Sequence, residues 1–354
     1  ESKKGGNHVV SLECDYNKGA CDQILRRLLE TNRERLPGYG TDKYSESAKA
    51  KIRSACGCDT ADIEFLAGGT QTNAVVISSL LRNHEGVVCA GTGHIHVHEA
   101  GAIEYTGHKI ISLPGVLGKL SAETLSNYLE RFHDDPSREH MVWPGLVYVS
   151  YPTEYGTLYS AAELAALSDV CREYRIPLFL DGARLGYGLM SREADLTLPD
   201  IAKLCDVFYI GGTKVGAFCG EAVVFTGAEL PEHFTHFMKK HGALLAKGRL
   251  LGLQFDTLFT DDLYFRLGEH GVHMAEQMKT ILREHGLPFF LETPTNQQFI
   301  LMADHQLVPF SKQVTYSYWE KADADHTVIR LATSWATRDD ELEALREALG
   351  VIGG

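Results

Sequence analysis

Between Asp62 and about Val224, short apolar runs alternate with amphipathic stretches, and this rhythm restricts the fold more than any other feature of the chain. The runs are IEFLAGG (63–69), GVVCAG (86–91), HKIISL (108–113), GLVYVS (145–150), PLFLDGA (177–183), DVFYIGG (206–212) and EAVVF (221–225). They are rich in β-branched and aromatic residues and bounded by Gly, Pro or Asp, which marks buried strands. Helix-like segments separate most of them. TQTNAVVISSLLRN (70–83) follows one run, and SAETLSNYLERFH (121–133) opens with Ser-x-x-Thr. SAAELAALSDVCREY (160–174) opens on a Ser N-cap with Glu three residues on, a capping box. The alternation predicts an α/β fold with a mostly parallel sheet covered on both faces. The last two runs are too close for a helical crossover, so that pair should be antiparallel.

After about Gly227 the pattern changes. PEHFTHFMKKHGALLAKGRLLGLQFDTLF and DDLYFRLGEHGVHMAEQMKTILREHG read as two long helical stretches. TNQQFILM (295–302), QVTYSYWE (313–320) and HTVIRLATSW (326–335) read as strands, and DDELEALREALGVI (339–352) as a final helix. The expected division is an N-terminal segment (1–20), a large domain (21–245) and a smaller C-terminal α+β domain (246–354). The net charge of −13 argues against a nucleic-acid or anionic-membrane surface, both of which want clustered cations. No apolar run is long enough to span a bilayer, and ESKKGGNHVV lacks the apolar core of a signal peptide. The eight scattered cysteines include no CxxC pair and read as reduced thiols of a cytoplasmic protein. Cys56-Gly57-Cys58 is the one close pair.

Five stretches carry residues suited to chemistry. AGGTQTN (67–73) puts glycines and N–H donors at the start of a helix, where a single phosphate would fit, or where the chain simply turns. It is neither a dinucleotide fingerprint nor a P-loop. PLFLDGARLG (177–186) ends a strand with Asp181, three residues before Arg184. The two form either an internal salt bridge or part of a site, since ligands bind at the carboxyl ends of such strands. GHIHVHEAGA (93–102) alternates His94, His96 and His98. As a strand the three would share a face and suit a metal-dependent hydrolase; as a helix they would diverge and that alternative would fail. Arg330 sits inside an apolar strand run, where it needs a protein carboxylate or a substrate carboxylate. Lys214, in FYIGGTKVGAFCGEAVVF (208–225), stands in a tight turn between two apolar strands.

Taken in order, these are a phosphate cup, a carboxylate at a strand end, a lysine at a later strand end and an arginine in the smaller domain. One cofactor uses all four. Pyridoxal 5′-phosphate has a single phosphate, a ring nitrogen that wants a proton and an aldehyde that forms a Schiff base with a lysine. A partly desolvated Lys214 is then a nucleophile rather than a misplaced surface cation.

The ordered set AGGTQTN, HIHVHEAGA, TEYGTLY, DGARLG, FYIGGTKVGAFCGEA and IRLATSW resembles the threonine aldolase branch of the fold-type-I pyridoxal-phosphate enzymes, within the group called β-eliminating lyases. The resemblance runs from about Asp15 to Trp335. It implies Lys214 as the cofactor lysine, Asp181 on the pyridine nitrogen and His94 stacked on the ring. Arg184 is implied on the cofactor's 3′-oxygen or the substrate carboxylate. Gly69, Thr70, Gln71 and Thr213 are implied around the phosphate, and Arg330 on the substrate carboxylate. GYGTDKYS (38–45) resembles a loop that enters a neighbouring subunit's site, with Tyr39 at its centre, which implies a homodimer or homotetramer. Many relatives carry a histidine where this chain has Glu154, which leaves the base open among His94, Glu99, Glu154 and an ordered water. The implied reaction is retro-aldol cleavage of a β-hydroxy-α-amino acid. β-Elimination and transamination are the alternatives within the same cofactor class.

Overall fold

A computed structural model describes residues 9–227 and 229–352. A short strand, β1 (Val10–Ser11), opens the described chain. The large sheet is built from β2 (Asp62–Leu66), β3 (Glu85–Ala90), β4 (Lys109–Leu113), β5 (Trp143–Ser150), β6 (Leu178–Asp181), β7 (Val207–Gly211) and β8 (Glu221–Phe225). Its order is β2-β8-β7-β6-β5-β3-β4. All neighbours run parallel except β8, which is antiparallel to both β2 and β7. The expected antiparallel pair is therefore present, in the interior of the sheet.

Both faces are covered, as continuous apolar runs require. Val147, Val149, Phe208, Ile210 and Val224 point into one core. Their neighbours Leu146, Tyr148, Val207, Tyr209 and Val223 point into the other. Helices Gly69–Leu80, Ala122–Asp134 and Ala161–Tyr174 lie where the periodicity places them. The third begins with the expected box: Glu163 N–H donates to Ser160 Oγ at 3.2 Å, and Ser160 N–H donates to Glu163 at 2.8 Å. It ends at Arg175 in the left-handed conformation, φ 56°.

The smaller unit holds β9 (Phe289–Leu291), β10 (Gln297–Ala303), β11 (Val314–Thr315), β12 (Ser317–Lys321) and β13 (His326–Ala332). Four of these form an antiparallel sheet in the order β12-β13-β10-β9. β11 pairs instead with β1, in parallel.

Two expectations need correction. The first helical stretch after Gly227 is two short helices, Phe234–Lys240 and Arg249–Leu258. Residues 241–248 between them run against the Tyr39–Gly40 loop: Tyr39 N–H donates to Ala246 O at 3.2 Å. A Cβ on Gly248 would stand 2.3 Å from Gly40 N. The stretch 313–320 is likewise two strands, because β11 and β12 have different partners. As for the division at 245/246, Leu251, Phe255 and Leu258 pack into the first core of the large sheet. The helix Leu263–Glu284 passes from that core, at Tyr264 and Val272, to the small unit's core, at Met274 and Met278. We propose the boundary inside this helix. Val10 and Leu12 from the N-terminal segment also belong to the small unit's core.

Candidate active site

The carboxyl ends of β2, β3, β5, β6 and β7 converge on one cleft, where an open α/β sheet binds its ligands. Its deep part is a cavity of about 230 Å³, walled by Gly69, Thr70, His94, Glu154, Asp181, Thr213, Lys214 and Glu221, among others. Its outer part, about 470 Å³, adds Thr92, His98, Tyr155, Trp319 and Arg330. Tyr16, His94, Glu154, Arg184 and Lys214 line both.

Asp181 ends β6 and is 5% exposed. Its Oδ2 accepts hydrogen bonds from Tyr148 Oη at 2.6 Å and Asn73 Nδ2 at 3.1 Å. Its Oδ1 accepts from Tyr209 Oη at 2.5 Å and from the Ala183 N–H at 3.0 Å. Burial works to raise its pKa, yet the charge of His94 and these donors hold it below the ordinary carboxylate value. It is an anion built to last inside the protein.

Asn73 reaches further. The same Nδ2 donates to Glu99 Oε1 at 2.7 Å, and that oxygen also accepts from His94 Nδ1 at 2.7 Å. A chain His94–Glu99–Asn73–Asp181 therefore runs under the cavity floor. Glu99 sits behind His94, 5% exposed and absent from the cleft lining. Its bond to Nδ1 holds the imidazole from behind.

Lys214 occupies the turn between β7 and β8, which is closed by Gly212 N–H to Gly220 O at 2.9 Å. Its carbonyl accepts from Tyr187 Oη at 2.6 Å, and Nζ has no hydrogen-bond partner among the described residues. Burial and then the Arg184 charge lower its pKa, against the pull of Asp15, Asp181 and Glu221. Glu221, at the start of β8, is 3% exposed and accepts from Thr213 Oγ1 at 2.7 Å and the Gly212 N–H at 3.1 Å. Burial raises its pKa.

Arg184 pairs with neither Asp181 nor a second site carboxylate. Its Nε and Nη2 donate to Asp15 at 2.7 and 3.0 Å, a bidentate bond. Asp15, 1% exposed, also accepts from Asn296 Nδ2 at 2.9 Å. Burial works to raise its pKa, but Arg184 and Lys214 bring it down to about 2.

Arg330 faces the cleft without a carboxylate. Nη1 donates to Gln297 Oε1 at 3.0 Å and Nη2 to Ser317 Oγ at 3.0 Å, while the buried Nε has no partner. Burial and Arg184 lower its pKa, so an added anion would be welcome there.

Glu154 follows the end of β5. Its Oε1 accepts from the His94 N–H at 2.9 Å and Ser150 Oγ at 2.7 Å. Burial raises its pKa. Of the expected phosphate cup, Gly69, Thr70 and Thr213 line the deep cavity. The Gln71 side chain turns away, accepting from the Ala67 N–H and donating to His241 O. Tyr39 is 51% exposed with φ 61° and stands outside this chain's cleft.

The histidine-rich segment is a single helical turn, His94–Val97. His94 and His98 share a face, with ring centroids 5.6 Å apart, and the exposed His96 leaves it. No three metal-ligating side chains gather among the described residues, so the metal-hydrolase alternative loses its ligand set. Sequence reasoning missed Asp15, Asn73, Tyr148, Tyr209 and Glu221. One signal was present for the tyrosines: a phenol inside a fully buried strand needs a polar partner.

These residues fit pyridoxal phosphate. An unpartnered amine, a stabilised buried carboxylate, an imidazole wall and a helix N-terminus surround one cavity, with an anion-seeking arginine beyond it. Fold and site together define a fold-type-I enzyme of the pyridoxal-phosphate class. The sheet's likeness extends to a Thermus thermophilus aspartate aminotransferase, at TM-score 0.68 and 13% identity over 98% of this chain and 92% of that one.

The chain belongs to the β-eliminating lyase family, whose model matches residues 19–305, and to its threonine aldolases. It is similar to a solved threonine aldolase of Leishmania major, with 39% identity, TM-score 0.93, and coverage of 97% of this chain and 99% of that one. It is 26% identical to a low specificity L-threonine aldolase of Pseudomonas aeruginosa over 84% of this chain and 86% of the relative.

Proposed function

We infer that this chain is a pyridoxal-phosphate-dependent lyase that cleaves L-threonine, L-allo-threonine or related β-hydroxy-α-amino acids into glycine and an aldehyde. The observation that carries this reading is the unpartnered Lys214 amine sharing one cleft with buried Asp181 and with Arg330, which has no protein carboxylate. The cofactor, when bound, supplies an aldehyde that bonds amines and a ring that accepts the electron pair left on the substrate's Cα.

The protein's part is positional and electrostatic. Lys214 would hold the cofactor covalently, and its lowered pKa keeps more of the amine neutral and nucleophilic. Asp181, ionised by its four donors, would hold the proton on the ring nitrogen. His94, fixed by Glu99, would cover one ring face. Gly69, Thr70 and Thr213, with backbone donors at Gln71, would receive the phosphate. Arg330 would grip the substrate carboxylate and so set the Cα–Cβ bond relative to the ring. Arg184, held by Asp15, adds positive potential beside it.

β-Elimination and transamination would use the same residues, but the relatives are named threonine aldolases and do not favour them. We also propose a homodimer or homotetramer in which Tyr39 completes a neighbour's cleft, working in the cytoplasm. Eight free thiols support that compartment. No helix among the described residues is long and apolar enough to cross a membrane.

The test is an absorption spectrum of the purified protein with pyridoxal phosphate, before and after L-threonine. A visible band that borohydride bleaches, with acetaldehyde released, is expected. Lys214→Ala should lose both the covalent band and turnover. A band without acetaldehyde would move the chain to the elimination or transamination readings.

A further inference from the structure

We propose that His98 is the base that takes the β-hydroxyl proton in this cleavage. The inference rests on the aldolase reading and asks which group on the cleft wall faces the substrate's side chain. If Arg330 takes the carboxylate and the amine points toward Lys214, the side chain is left with the wall of Thr92, Val97, His98, Tyr155 and Trp319. His98 is the one imidazole in that group, and the Tyr155 phenol is its other acid–base side chain.

Three other titratable groups of the cleft already have partners or a role, while Glu320 and the phenols of Tyr16, Tyr155 and Tyr318 line its outer part. Lys214 serves the cofactor. His94 has Nδ1 on Glu99. Glu154 is 9% exposed, and its Oε1 already accepts from His94 N–H and Ser150. The His98 ring makes no hydrogen bond among the described residues. It rests between the His94 ring at 5.6 Å and the Trp319 ring at 6.3 Å, and the Arg330 guanidinium lies 5.8 Å from that same indole. Carboxylate grip and free imidazole thus both lie against the Trp319 indole in one cleft.

The charged groups around His98 are His94 and Glu99 from its own segment, Arg330 from β13, Glu320 from β12 and Glu154 after β5. Burial first, then His94 and Arg330, lower its pKa from the usual histidine value. His98 is itself an exposed residue at the cleft wall, and the downward shift favours the neutral ring, the form that accepts a proton. In the step, the β-O–H bond breaks toward the imidazole, and its electron pair becomes the second C–O bond of the aldehyde. The Cα–Cβ pair would be left on Cα, where the cofactor would supply the electron acceptor, and a proton from solvent would complete glycine. His98 returns its proton to water.

The experiment compares wild type, His98→Phe, His98→Ala, Glu154→Gln and Glu320→Gln as holoenzymes. It measures kcat/KM for L-threonine from pH 5 to 9, and glycine affinity from the change in the visible band. Glycine has no β-oxygen, so its binding should not depend on the base. Expected for His98→Phe is a loss of about 10²–10⁴-fold in kcat/KM. The acid limb should disappear, glycine affinity should hold, and added imidazole should partly restore His98→Ala. The proposal is overturned if His98→Phe keeps the limb and the rate, if it loses glycine affinity in parallel, or if Glu154→Gln or Glu320→Gln removes the limb instead. If wild type releases no aldehyde while binding glycine, the aldolase reading itself falls, and His98 with it.

Discussion

At the scale of the residue, the cleft is organised around buried anions kept apart by chosen donors. Asn73 serves two carboxylates through one nitrogen, so it has no adequate substitute. Asn73→Leu should destabilise the protein by about 3 kcal/mol, because two charge-assisted hydrogen bonds vanish in a buried place. It should also weaken cofactor retention on dialysis. Retention and urea midpoint equal to wild type would refute the bridge. Glu154 offers the opposite sign. Its folded pKa is raised, so its contribution favours folding at low pH and is lost as pH rises through the folded value. Glu154→Gln keeps an acceptor for Ser150 and the His94 N–H. It should therefore raise the urea midpoint at pH 8 and leave it unchanged at pH 4.

At the scale of the element, two loops decide the shape of the cleft's surroundings. Gly248 lies where the Tyr39–Gly40 backbone crosses, and a methyl group there meets main chain rather than a yielding side chain. Gly248→Ala should cost about 1–3 kcal/mol by overpacking and displace that loop. If Tyr39 serves a neighbouring subunit, sedimentation and turnover should fall together. The regular elements were readable in the sequence because their signals are local: period, cap and strand edge. The helix Ala161–Tyr174 announced itself through Ser160 and Glu163, and Asp181 and Lys214 through their places at strand ends. The break at 241–248 was not readable, since its cause is a loop some 200 residues earlier in the chain. Asp15 was hidden for the same reason: its partners Arg184 and Asn296 are 169 and 281 residues away. The His94–His98 turn was ambiguous because alternating histidines suit a strand as well as a helix.

At the scale of the whole molecule, Asp15 ties the N-terminal segment to Arg184, past the carboxyl end of β6, and to Asn296 of the small unit. With its pKa near 2 in the folded protein, it contributes about 2 kcal/mol that is fully present above pH 4. That contribution is lost as pH falls toward 2. Asp15→Asn should be strongly destabilised at pH 7, by about 3–5 kcal/mol, because Arg184 is left buried without its anion. The gap to wild type should narrow as the pH drops to 2.5. Denaturation curves at the two pH values decide it.

The pairing of β1 with β11 bears on how the molecule comes apart. The small unit owns a strand that reaches it from the far end of the sequence. A piece beginning at residue 246 would carry β11 with an open edge and a core missing Val10 and Leu12. Such a piece should aggregate when expressed alone and dissolve when the first twenty residues are supplied in trans or fused ahead of it. The two units are sewn together rather than strung in a row, so protein made from the ribosome outward cannot finish its first stitch until nearly the last strand has emerged.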